Sequence, residues 1–429
     1  MTPMPYRTGG RLSVALVGTR GVPARYGGFE TAVEEVGRRL VERGHRVVVY
    51  CRTMPGAQTP REATHLGMEL VHLPAARKRS LETLSHSALS IGHLLGHRTD
   101  AAIVFNAANA PLLPALRAAR IPFATHVDGL EWKRAKWGGT GRRYYRAAEA
   151  MAVRWSDDLI ADAEGIAAYY RREFHAPTTL LTYGAPMIDP GSDLLADLDL
   201  VPGGFHLVVA RFEPENHVDV IVDGYRRSGA RKPLVVVGSA PYADDYTRRV
   251  HALADERVRF LGGVWDQRQL DQLYAHCFTY LHGHSVGGTN PSLLRAIGAG
   301  AAVLAYDVDF NREVVAEAGR YFTDAPDVAA ALMAAESDPR TVELNGIRSR
   351  ELAAAYDWDD VTAGYEDLIR RLAGRAFPAR RPSGRRWPAD EEPSATIVPF
   401  PRPSLADEIL SGGYGASGSA SGSFAGVGQ

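Results

Sequence analysis

Apolar residues fall into short continuous runs, separated by stretches in which they recur every three or four positions. Runs rich in β-branched residues lie at Leu12–Val17, Arg46–Cys51, Ala101–Phe105, Pro122–His126 and Asp158–Ala161. Helical patterns separate them, such as Phe29 to Glu42, where Ala32, Val33, Val36 and Leu40 share one face. Continuous apolar strands alternating with helices predict a parallel sheet covered on both faces; a half-exposed strand would alternate polar and apolar residues instead. The pattern then restarts. Phe205–Ala210, Leu234–Val237, Val258–Leu261, Phe278–Leu281 and Ala301–Ala305 read as a second set of strands, with helices that include Asp244–Ala254 and Gln267–Ala275. No clear repeat relates the two sets, so they predict two similar folds rather than tandem copies. Two doubly wound domains facing each other create a cleft between the carboxyl ends of their sheets, where such folds bind ligands.

The composition changes near Ala373. A proline-rich stretch from Pro378 to Pro403, holding Arg380, Arg381, Arg385 and Arg386, gives way after Ser411 to a run dominated by Gly and Ser. Such a segment buries too little apolar surface to offset its chain entropy, so 373–429 is expected to be a disordered tail. The 45% hydrophobic content of the 429 residues is ample for a core without disulfides or metal. Two distant cysteines, Cys51 and Cys277, exclude a disulfide scaffold and a Cys-rich zinc module and fit a reducing compartment. A net charge of -1 excludes a wholesale nucleic-acid binder. No apolar run reaches the roughly 18 residues of a membrane span, and the first residues lack a signal-peptide pattern, so a cytoplasmic protein is expected.

Four loops carry candidate chemistry. The first βα turn, GTRGVPARYGGFE from Gly18 to Glu30, follows a buried strand and opens a helix. Gly27 and Gly28 let backbone approach a ligand and aim N–H groups at an anion, with Arg20 and Arg25 adding charge; alternatively the glycines only serve turns. In VVARFEPENH, Arg211 lies just past a strand end, where a guanidinium can bind a diphosphate bidentately or pair with Glu213 or Glu215. In LHGHSVGGTNPSLLRAIGAG, the polar Gly-rich loop from His282 to Asn290 precedes Pro291, and Thr289 or Asn290 can cap the next helix and leave free N–H groups for a phosphate. In THVDGLEW, His126 and Asp128 stand past another strand end and suit hydroxyl orientation and proton movement. Beyond it, Trp132, Lys133, Arg134, Lys136 and Trp137 open a basic and aromatic stretch continuing through Arg142, Arg143, Tyr144, Tyr145 and Arg146. That interleaving suits a peripheral contact with an anionic membrane, or a plain solvated helix. Metal sites look poor: the pair His282 and His284 has no third ligand nearby, and Asp307-Val308-Asp309 lies deep in the second set.

The strings GTRGVPARYGGFET, HVDGLEWKRAKW, ARFEPENH and HGHSVGGTNPSLLRA, in that order, resemble family 4 glycosyltransferases of the GT-B fold, nearest the bacterial rhamnosyltransferase-like branch. The resemblance covers roughly Arg11 to Leu372. It implies an N-terminal acceptor domain at 1–186, a C-terminal nucleotide-sugar domain at 187–357, and a helix at 358–372 crossing back onto the first. It implies transfer of a sugar, rhamnose by the branch, to a lipid-linked or polysaccharide precursor at the inner face of the plasma membrane. Anomeric configuration would be retained, with no metal or other cofactor and no nucleic-acid partner. Gly27, Gly28, Arg211, Asn216, His284, Gly288, Thr289, Asn290 and Arg295 would line the donor, and Asp128 or His126 would contact the transferring sugar or acceptor hydroxyl. The family's phosphate-binding Lys has Asn216 near its place, and its two glutamates have Ser285 and Arg295. An Arg cannot accept hydrogen bonds from ribose hydroxyls, so Arg295 would instead add charge toward the diphosphate. These departures also leave room for a non-catalytic protein of the same fold that binds a nucleotide sugar or glycan.

Overall fold

The computed structural model describes residues 10–24, 27–53, 62–76, 79–134, 137–238, 244–376 and 382–387. Arg25, Lys136 and the tail apart from 373–376 and 382–387 lie outside them. The first sheet contains β1 (Ser13–Val17), β2 (Arg46–Thr53), β3 (Thr64–His65), β4 (Met68–Pro74), β5 (Ala101–Phe105), β6 (Phe123–His126), β7 (Asp158–Ala161) and β8 (Thr179–Leu180), in the order β3-β4-β2-β1-β5-β6-β7-β8. Every pairing is parallel except the short β3–β4 hairpin. All five residues of β5 are buried, because helices cover both faces: α1 (Gly28–Glu42), α2 (Arg79–Gly96), α3 (Leu113–Ala118), α4 (Gly139–Trp155) and α5 (Glu164–Phe174). Helix α1 buries the apolar face read from the sequence: Ala32, Val33, Val36 and Leu40.

The second sheet contains β9 (His206–Val209), β10 (Leu234–Val237), β11 (Val258–Gly262), β12 (Thr279–His282), β13 (Val303–Tyr306) and β14 (Arg320–Phe322), all parallel, in the order β11-β10-β9-β12-β13-β14. Its helices are α6 (Val218–Arg227), α7 (Asp244–Leu253), α8 (Gln267–His276), α9 (Pro291–Gly298), α10 (Asp309–Val315), α11 (Ala325–Ser337) and α12 (Pro339–Ala353). Both halves belong to one compact unit.

The chain crosses between halves twice, at neighbouring points: Ala185 N donates to Tyr356 O over 2.7 Å. After the second crossing, α13 (Trp358–Ala373) packs on α1. It is pinned to the first half by Arg39 on Asp359, Arg43 on Glu366, and Arg371 on Asp158 of β7. Among the described residues no helix is long and apolar enough to cross a membrane.

One part of the tail departs from the expected disorder. Residues 382–387 lie against α4 and α5. Arg386 donates to Glu149 Oε2 at 2.5 Å and to Tyr169 Oη at 2.8 Å, and the Trp387 ring stacks on His175. Glu149 is buried, and a buried carboxylate needs a counter-charge; the tail supplies it.

Candidate active site

The carboxyl ends of both sheets meet along one seam, and each loop singled out in the sequence lies at a strand end facing it. From the first half comes the start of α1. Its cap residue Gly27 sits at φ +124°, a conformation glycine adopts readily, and offers no side chain to cap the first-turn N–H groups. Gly28 abuts the other half: a β-carbon there would lie 3.2 Å from Pro291 Cγ and from Tyr183 Oη. The amino ends of α1 and α9 therefore converge, and each presents the positive end of its helix dipole. Asn290 caps α9 by accepting from Ser292 N at 2.9 Å, so its side chain serves the helix rather than reaching for a ligand.

Past β6, Asp128 holds a left-handed backbone (φ +62°) and its Oδ1 accepts from Gly129 N. Gly129 backs directly onto Gly287 of the loop after β12; a β-carbon would overlap Gly287 Cα. Past β7, Asp162 is buried beneath Gly288, and Thr289 Oγ1 donates to Asp162 O at 2.5 Å. Desolvation, then the nearby Asp128 charge, pushes the Asp162 carboxyl well above the usual range. Asp162 was not singled out in the sequence. Its place at the end of the strand beside β6, matching that of Asp128, is the signal that identifies it.

His126 does not meet its expected role. It is 1% exposed and enclosed by Phe29, Phe105 and Tyr183. Desolvation drives its pKa down to about 3, so it is neutral and poorly suited to shuttling protons near pH 7. His282, also buried, is pushed to about 3 for the same reason. Once unfolded, both imidazoles bind a proton below about pH 6.5. The unfolded state then holds more protons, so stability is lost as pH falls from 6.5 toward 3. By pH 5.5 each histidine costs about 1.4 kcal/mol relative to pH 8. Denaturant titrations at those two pH values should show a His126→Phe variant losing about that much less; an identical pH dependence would refute the assignment.

In the second half, Arg211 leaves the end of β9 with its side chain 52% exposed, and its Nη2 lies 3.5 Å from Glu213 Oε2. Asn216 does not reach outward. Its amide donates to Arg211 O at 2.7 Å, and its Oδ1 is 2.8 Å from His284 Nδ1. Ser285 is likewise internal, with its N and Oγ both donating to Glu215 O. Asn216, His284 and Ser285 thus staple the Arg211 loop to the loop after β12. Desolvation holds the His284 pKa well below its ordinary value. Arg295 contradicts the expected role toward a diphosphate: it sits in the last turn of α9 and pairs with Asp271 on α8, which neutralises it.

The basic stretch also divides. Trp132 and Trp137 are half-buried, and Trp137 Nε1 donates to Glu131 Oε1. Lys133 is exposed. Arg134 is only 12% exposed, so it does not face a membrane as read from the sequence. It reaches across the seam to Glu213 and Glu215. The exposed cations lie farther on, at Arg142, Arg143, Arg146 and Arg154 of α4, with no carboxylate at ion-pair distance among the described residues.

Comparison with known proteins agrees with this architecture. A family described as "Glycosyl transferase 4-like domain" matches residues 27–184, and "Glycosyl transferases group 1" matches 203–345. A phosphatidyl-myo-inositol mannosyltransferase of Mycolicibacterium smegmatis is 32% identical over 38% of this chain and 43% of its own length. An O-antigen chain mannosyltransferase B of Escherichia coli is 24% identical over 37% and 44%. The matched stretch thus spans less than half the length of either relative. Among solved structures, a sucrose-phosphate synthase of Thermosynechococcus elongatus superposes with a TM-score of 0.73 at 20% identity, over 84% of this chain and 99% of that one. HepE of Anabaena in complex with UDP-glucose gives 0.67 at 16%, over 83% and 99%. With two facing parallel sheets, the chain has the GT-B fold, and its first half matches a glycosyl transferase 4-like domain while its second matches the group 1 glycosyl transferases.

Proposed function

We propose that the protein transfers a hexosyl residue from a nucleotide sugar to a lipid-linked or polysaccharide precursor, with retention and without a metal. The observation that carries this is the meeting of two helix amino ends, α1 and α9, on a seam that also holds Arg211. Breaking a glycosyl–phosphate bond leaves negative charge on the departing diphosphate. Fixed N–H dipoles and a guanidinium aimed at that charge stabilise the transition state more than the ground state. Arg211 and the amino ends of α1 and α9 take the diphosphate, while Asp128 receives an acceptor or sugar hydroxyl. The close approach of Gly129 to Gly287 keeps water from the reacting carbon. The likeness to two mannosyltransferases supports a hexose, and the motif resemblance supports rhamnose.

The test is nucleoside-diphosphate release from nucleotide-activated mannose, glucose and rhamnose, with and without a polyprenyl-linked acceptor. Acceptor-dependent release from one of them supports the reading, and no release from any refutes it. The pairing of Arg295 with Asp271, in place of a carboxylate for the ribose, favours one second reading: a non-catalytic binder. Nucleotide-sugar binding without release supports that one.

The acceptor reading extends to a peripheral membrane contact made by the exposed cations of α4. Each cation near an anionic surface contributes about 1 kcal/mol. Replacing Arg142, Arg143 and Arg146 with Gln should weaken sedimentation with anionic liposomes at low salt by about two orders of magnitude. Equal sedimentation of variant and parent would remove this contact.

A further inference from the structure

Arg134 brings a buried guanidinium from the first half into the loop that carries Arg211. Its Nε lies 2.6 Å from Glu131 Oε2, and its Nη1 lies 3.5 Å from Glu213 Oε2 and 3.7 Å from Glu215 Oε1. Glu213 Oε2 is also 3.5 Å from Arg211 Nη2. One carboxylate oxygen is thus shared between two guanidiniums from opposite halves. Both separations exceed a hydrogen bond, so neither pair is locked. Among the described residues, Glu213 Oε2 and both oxygens of Glu215 accept no hydrogen bond, and the Glu215 side chain is 3% exposed. These three oxygens therefore rely on nearby cations, and Arg134 is the cation common to both carboxylates.

We propose that Arg134 is a positioning residue that holds Glu213 and Glu215 so that Arg211 can exchange Glu213 for the diphosphate of a nucleotide sugar. The proposal rests on the functional reading above. When the diphosphate arrives at Arg211, Glu213 loses one of its two counter-ions, and Arg134 remains as the other. Without Arg134, the half-buried Glu213 and the buried Glu215 would stand beside the diphosphate without that counter-charge. They would repel it and hold Arg211 for themselves. Burial alone would lower the Arg134 pKa, but the charges of Glu131, Asp128, Glu213 and Glu215 raise it, so the guanidinium stays charged throughout.

This predicts suppression by a second change. In titration calorimetry of the full chain with UDP, GDP and dTDP, Arg134→Ala should weaken binding about tenfold or more, as expected for a buried charge left without its partner. Arg134→Ala combined with Glu213→Gln should recover most of that loss, because the surplus charge is gone. A direct phosphate contact by Arg134, or a purely structural role, predicts no recovery. Glu213→Gln alone, which leaves Arg134 in place, should bind at least as tightly as the parent, so the idea stays testable if the Arg134 variant does not fold. A double variant as weak as the single one, a single variant that binds like the parent, or weakened binding by Glu213→Gln overturns the proposal while leaving the functional reading intact. A parent that binds none of the three nucleotides overturns the functional reading, and this proposal with it.

Discussion

Replacing Arg211 with alanine is expected to lower kcat/KM by about 10²–10³, or roughly 3–4 kcal/mol of transition-state stabilisation. The magnitude follows from where the residue sits. Arg211 leaves β9 at its carboxyl end, and its only carboxylate at ion-pair distance among the described residues is the shared Glu213 at 3.5 Å. Its backbone is fixed by the Asn216 amide, so little reorganisation is needed when charge develops on a leaving group. Arg211→Lys keeps the charge but loses the planar fork that matches two phosphate oxygens, so it should recover only part of the rate. Steady-state kinetics with the accepted donor checks both variants. A parental rate in Arg211→Ala would remove this residue from the mechanism.

The second large effect concerns a hydrogen atom rather than a charge. Gly129 and Gly287 touch through their backbones. A methyl group at Gly129 meets only the Gly287 backbone, with no flexible side chain to displace, so the two halves must part. Overpacking of this kind typically costs about 1–3 kcal/mol when it falls within a core. On the seam, the same strain is relieved by opening instead of unfolding. Gly129→Ala is therefore expected to keep its melting temperature near the parent's while turnover falls by about 10² or more, the loss seen when reacting groups are misplaced by about 1 Å. Donor hydrolysis should rise relative to transfer as water enters. Parental turnover in Gly129→Ala would show that the halves need not meet here.

Both sheets were legible because their central strands are unbroken apolar runs, as in LSVALV and AAIVF. The strands that escaped notice lie at or next to sheet edges. β4 carries Glu69 and His72 and is half-buried, β3 and β8 have two residues each, and β14 begins with an exposed Arg320. Edge strands bury less and so write a weaker pattern. The site was legible in its backbone elements: the glycine turn before α1, the cap at Asn290 and the strand-end Arg211. It was not legible where function depends on pairing between distant segments. Arg134 reads as one cation in a basic stretch until Glu213 and Glu215 are found across the seam. Arg295 reads as a charge near the donor loop until Asp271 claims it. Helical periodicity separates the core face from the solvent face, but not a face toward α8 from a face toward a ligand.

The return of α13 onto α1 also bears on how the chain is made. The second half, from β9 to α12, is continuous in sequence and can complete its sheet as soon as it has left the ribosome. The first half is not complete at that moment. Arg39, Arg43 and Asp158 still lack the partners that α13 will bring. At a synthesis rate of about 5–20 residues per second, the wait between the end of β8 and the end of α13 is on the order of ten to forty seconds. The half that is translated first is therefore the one that finishes folding last, and its exposed α1 surface is where a chaperone would be needed.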